Sequence, residues 1–156
     1  MVCEKNETFE QCELNILRNA VDDAQEILKL NKLQVPELNN IISIVENFIK
    51  SKKLVCYGGT AINNILPKNE QFYDRETEIP DYDFFSFDPI KHVKELANIY
   101  YKKGFIDVEA KAGQHYGTYK LFVNFIPVAD ITYMSKPLFN NIRNDGIIKD
   151  GIHYCP

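Results

Sequence analysis

Nine residues, DYDFFSFDP from Asp81 to Pro89, restrict the fold of this chain more than any other stretch. Asp81, Asp83 and Phe85 alternate with Tyr82, Phe84 and Ser86, the two-residue period of a β-strand. Both aspartates therefore project from one face. A second alternating run, ADITYM, puts Asp130 on another strand, on the same face as Thr132 and Met134. Carboxylates gathered in one sheet repel one another, and holding them there costs free energy unless a cation neutralises them. Magnesium suits that role, because it is a hard cation that accepts one or two carboxylates and completes its octahedron with water and phosphate oxygens. Two such ions about 3.5–4 Å apart can clamp the attacking and leaving oxygens of an in-line phosphoryl displacement.

Helical and strand periods organise the remainder. Phe9, Cys12, Ile16, Leu17, Ala20, Val21, Ala24, Ile27 and Leu28 predict an amphipathic helix over 9–30. Pro36, at a tolerated first-turn position, and Leu38, Ile41, Ile42, Val45, Phe48 and Ile49 predict a second. Next come a strand over 54–57, a short helix over 60–66 stopped by Pro67, and a charged segment without periodicity over 68–80. Beyond the aspartate strand, a helix over 89–103 stops at Gly104, and strands follow over 105–111, 118–125 and 128–134. The last two read as a hairpin, and a short helix follows Ser135. This order predicts an α+β fold, a mixed sheet with helices packed on it and preceded by two N-terminal helices. We divide the chain into an N-terminal helical segment, residues 1–53, and a sheet domain, residues 54–156. The closing GIHYCP completes no predicted element, and a continuation in a longer protein is expected.

With 156 residues the chain is one domain of ordinary size, and 45% hydrophobic residues suffice for a single core. A net charge of −4 argues against a surface that grips nucleic acid by overall basicity. The lysine groups at Lys50, Lys52 and Lys53 and at Lys91, Lys94, Lys102 and Lys103 read as solvated helix faces. Cys3, Cys12, Cys56 and Cys155 lack a CxxC spacing, which predicts neither a zinc site nor a disulfide framework. No signal peptide and no apolar run of membrane-spanning length stands out. His92, His115 and His153 have no ligand spacing and read as structural.

Two adjacent glycines in VCYGGTAINNILP sit between a strand and a helix start. Either a sharp turn or a close approach to a ligand explains them, and Thr60 suits a helix cap. Backbone N–H groups of Gly58, Gly59 and Thr60 at a helix N-terminus make a seat for phosphate. Lys68, Tyr73, Asp74 and Arg75 lie between the motifs and read as a solvated loop, Ser86 faces away from the aspartates, and KAGQHYGTYK, with His115, Tyr116 and Lys120, reads as a hairpin loop.

GG(T/S), about 20 residues, DxD and a later aspartate together resemble the nucleotidyltransferase superfamily of DNA polymerase beta, poly(A) polymerases and CCA-adding enzymes. More narrowly, YGGTAINNILPK followed by FYDRETEIPDYDFFSFDP is similar to the poly(A) polymerase catalytic subunits of large nucleocytoplasmic DNA viruses, over residues 54–133. The resemblance implies a polymerase-beta-like palm in residues 54–156, and template-independent addition of AMP from ATP to RNA 3′ ends. It implies two Mg2+ or Mn2+ ions, with Asp81 and Asp83 ligating both and Asp130 ligating the catalytic one and helping to deprotonate the RNA 3′-hydroxyl. Gly58, Gly59 and Thr60 would hold the triphosphate. A homodimer or a separate processivity subunit, no membrane, and a cytoplasmic, viral-factory or virion setting are implied as well. Two other readings stand beside it: nucleotide transfer to a protein or small-molecule acceptor, and a noncatalytic scaffold subunit of the same fold.

Overall fold

The computed structural model describes residues 8–17, 19–20, 38–73 and 79–156. Residues 9–17 and 19–20 are helical (α1); the rest of the predicted first helix, Pro36, Asp74 and Arg75 lie outside the described residues. Then follow α2 (Leu38–Lys52), β1 (Val55–Tyr57), α3 (Gly58–Ile65), β2 (Tyr82–Ser86), α4 (Pro89–Lys102), β3 (Val108–Ala112), β4 (Thr118–Val123), β5 (Ile126–Tyr133), α5 (Lys136–Asp145), β6 (Ile147–Lys149) and β7 (Ile152–Tyr154). The strands form one mixed sheet in the order β3-β4-β5-β2-β1-β7-β6. The predicted α+β architecture is the observed one.

Period two decides which face of the sheet is dry. Tyr82, Phe84 and Ser86 of β2 are buried, as are Leu121, Val123, Ala129 and Ile131 of the neighbouring strands. Ile41, Val45, Phe48 and Ile49 of α2 and Val93, Leu96 and Tyr100 of α4 join them in one core. The Tyr100 hydroxyl donates to the Ile41 carbonyl (2.7 Å), so the two helices are also tied by a buried hydrogen bond. Asp88 caps α4 by accepting from the Lys91 N–H (3.4 Å), and Pro89 begins the helix. Ser86 faces this core, as its alternation predicts, and its hydroxyl lies 2.7 Å from His92 Nδ1.

Two expectations are corrected. The closing segment does complete an element, since β7 pairs parallel with β1 and antiparallel with β6. Three-residue strands carry too little alternation to read, and the parallel partner lies far away in sequence. Cys12 is disulfide-bonded, to a partner outside the described residues, whereas Cys56 and Cys155 are free thiols.

Candidate active site

β1 runs into α3 without a linker, and the two glycines make that junction possible. Gly58 has φ +77°, and a Cβ there would overlap the Asp83 carboxylate. A Cβ on Gly59 would stand 2.5 Å from the Tyr73 hydroxyl. Tyr73 is exposed in its loop, as expected, and its hydroxyl also stands beside Gly59 at the opening of α3. Asn63 holds it there: this buried side chain accepts from the N–H groups of both Phe72 and Tyr73 (2.8 Å each). Thr60 differs from expectation too, because its hydroxyl donates to the Asp81 carbonyl (2.7 Å) and does not cap the helix. The N-cap position falls to Tyr57, which makes no capping side-chain bond.

Strand register assembles the polar row. Tyr57 lies opposite Asp83, Asp83 opposite Asp130, Asp130 opposite Lys120, and Lys120 opposite Lys111. Asp81 precedes Asp83 by two residues, on the same face. The structure therefore brings Asp81, Asp83 and Asp130 to one region of the sheet, beside Gly58. Next to them the Thr132 hydroxyl bonds that of Tyr57 (2.8 Å) and that of Thr118 (3.0 Å), and the Tyr57 ring stacks on Phe85 at 4.0 Å.

Electrostatics mark this row as short of positive charge. Burial, then Asp81 and Asp130, push the Asp83 carboxyl up to about 6, against the pull of Lys120. Burial and the Asp130 charge likewise raise Asp81, whose Oδ1 is buried without a hydrogen-bond partner. Lys120 pairs with Asp130, and that hydrogen bond raises the ammonium's pKa. Among the described residues no three His, Cys, Asp or Glu side chains already converge around one point that could hold a metal ion. The donors nonetheless fit a hard divalent cation, because an orphaned carboxylate oxygen and a carboxyl raised by burial and then by its own neighbours are both relieved by one.

Lys120, Asn63 and Tyr57 belong to this region and were not legible as such. Asn63 carries a faint signal, an amide in the middle of a short helix with an apolar face. His115 and Tyr116 are exposed at the β3–β4 turn, as a hairpin loop requires, and Lys68 is exposed as predicted.

The family described as poly(A) polymerase catalytic subunit matches residues 43–156. A relative from Acanthamoeba polyphaga mimivirus, by description a poly(A) polymerase catalytic subunit, is 35% identical over 143 residues, which cover 90% of this chain and 24% of the relative. One of the same description from African swine fever virus (strain Badajoz 1971 Vero-adapted) is 38% identical over 106 residues, 68% of this chain and 22% of the relative. The crystal structure of the Megavirus polyadenylate synthase superposes with a TM-score of 0.73 at 29% identity, covering 99% of this chain and 32% of that one. The chain thus spans about a quarter of the length of these curated relatives. A family match across most of the sequence, joined to a shared fold, means that this chain belongs to the poly(A) polymerase catalytic subunit family.

Proposed function

We propose that this chain carries the nucleotidyl-transfer site of a poly(A) polymerase, which adds AMP from ATP to an RNA 3′ end and releases pyrophosphate. The observation that carries this reading is the register setting Asp83 beside Asp130, in front of a helix whose first turn has no side-chain cap. In it Asp81 and Asp83 would hold two Mg2+ or Mn2+ ions, and Asp130 would join them at the catalytic one. When bound, the ions neutralise the carboxylates and stabilise charge on the attacking and leaving oxygens. Asp130 also helps to draw the proton from the RNA 3′-hydroxyl. The N–H groups of Gly58, Gly59 and Thr60 hold the triphosphate, with the positive end of the α3 dipole behind them.

Residues 54–156 form the catalytic domain in this reading and residues 1–53 a helical segment before it. A second copy of the chain or a separate processivity subunit extends the RNA surface, which the net charge of −4 leaves small. The viral origin of the relatives supports a cytoplasmic viral factory or a virion as the setting.

The test is incubation of the full-length protein with a labelled oligoribonucleotide, Mg2+ or Mn2+ and each of the four nucleoside triphosphates. A ladder with ATP alone, absent in Asp81→Ala, is the expected outcome. Labelling of a protein or a small acceptor in place of RNA would overturn the substrate assignment, and no transfer to any acceptor would overturn the enzymatic one.

A further inference from the structure

One cation already sits where the proposed site needs positive charge. Lys120 faces Asp130 across the β4–β5 ladder and contacts its Oδ2, with the lysine side chain 35% exposed and the aspartate 16%. That placement depends on an irregularity. The β4–β5 pairs run Val123 to Ile126 and Phe122 to Pro127, then jump to Leu121 and Ala129, skipping Val128. In an unshifted hairpin Lys120 would face Ala129, a buried core residue. The bulge therefore carries the ammonium onto the carboxylate row.

A carboxylate oxygen bound by an ammonium must give it up, at least in part, to accept a divalent cation, because two cations within a few ångströms repel. We propose that Lys120 is a built-in competitor of the divalent cation for Asp130: its ammonium holds this carboxylate before the cation arrives and releases it on binding. Lys120 is then a positioning residue that sets the metal affinity of the site, an inference that rests on the proposed reading of Asp81, Asp83 and Asp130 as metal ligands. Neither of the other ion pairs among the described residues, Lys52 with Glu95 and Lys111 with Glu109, touches the row's carboxylates.

Mn2+ titration of the chain, followed by the electron paramagnetic resonance signal of the free ion, tests this. Lys120→Met is expected to bind Mn2+ about tenfold more tightly than the parent, the order expected when one charge is removed near a cation in a partly exposed site. Lys120→Arg, which keeps the charge, is expected to stay near the parent value. Equal or weaker binding by a Lys120→Met protein with a native circular dichroism spectrum would overturn the inference. Should that variant not fold, the parent protein decides: NMR signals of the Lys120 Cε and Nζ groups shift on Mg2+ saturation, or the inference fails. Equal Mn2+ binding by parent and variant removes the role of Lys120 alone. No binding by the parent removes the metal reading together with it.

Discussion

At the scale of single residues, Gly58 does most to hold the candidate site together. Its positive φ and the Asp83 carboxylate beside it both exclude a side chain. Gly58→Ala is expected to lower stability by about 1–2 kcal/mol, from backbone strain alone before the clash is counted. The check is a thermal melt in parallel with an assay of AMP transfer, which the displaced Asp83 should abolish. Gly59→Ala is expected to cost less, because its Cβ meets only the end of a Tyr73 side chain that can move. The residue scale is also where sequence reading goes furthest. Asp81, Asp83 and Asp130 announce themselves by alternation, a property of neighbours in the chain. Lys120 does not, since its partner is chosen by cross-strand register. Thr60 has the residue type of a cap, but its hydroxyl finds the Asp81 carbonyl, which no local pattern reveals.

At the scale of elements, the β4–β5 hairpin shows what local pattern can and cannot specify. Both strands are legible from their aromatic and β-branched residues. The turn between them has two residues, Asn124 and Phe125, both with positive φ (50° and 63°), the backbone of a type I′ turn. Asn suits that conformation. Phe does not, and its side chain, 76% exposed, gains little from packing in return. Phe125→Gly is expected to stabilise the protein by about 1 kcal/mol, read as a higher melting temperature with no loss of transfer activity. The bulge beyond the turn escaped sequence reading, although Pro127, a residue that an inner strand tolerates at a bulge, signals an irregularity there without naming Val128 as the residue that the ladder skips. β6 and β7 escaped for a different reason: they are three residues long, and β7 is set by a parallel pairing with β1 from the far end of the chain. α3, by contrast, is legible to within two residues of its start, because Pro67 ends it and the glycines open it.

At the scale of the whole molecule, the carboxylate row couples folding to pH and to metal. The Asp83 carboxyl titrates near 6 in the folded protein, above its ordinary value of 3.8, so the folded state binds more protons between those limits. Stability in the absence of divalent cations should therefore fall as pH rises from about 4 to 6 and stay low above that. Asp81, raised for the same reasons, contributes in the same direction. Melting temperatures recorded with EDTA from pH 4.5 to 7.5 should show this decline, and Asp83→Asn should flatten it while raising the melting temperature at pH 7.5 by a few degrees. Millimolar Mg2+ should restore part of the lost stability at pH 7.5 and much less at pH 5, because a ligand that binds only the folded state stabilises it by mass action. A flat profile in EDTA would show that the Asp81 and Asp83 carboxylates do not strain the fold.

The bond from the Thr60 hydroxyl to the Asp81 carbonyl ties the opening of α3 to the residue that leads into β2. In the proposed reaction that tie works as a caliper, with one jaw on the terminal phosphates and the other on the carboxylates. On the proposed reading a donor would be selected by reach as well as by affinity, with a triphosphate spanning the two jaws and a diphosphate falling short. Thr60→Val keeps the shape and removes the bond, at a cost of roughly 1 kcal/mol in stability. Its expected signature is a diminished preference for ATP over ADP in nucleotide binding, read by competition against labelled ATP. Retention of the full preference in a folded Thr60→Val protein would mean that the spacing is set elsewhere.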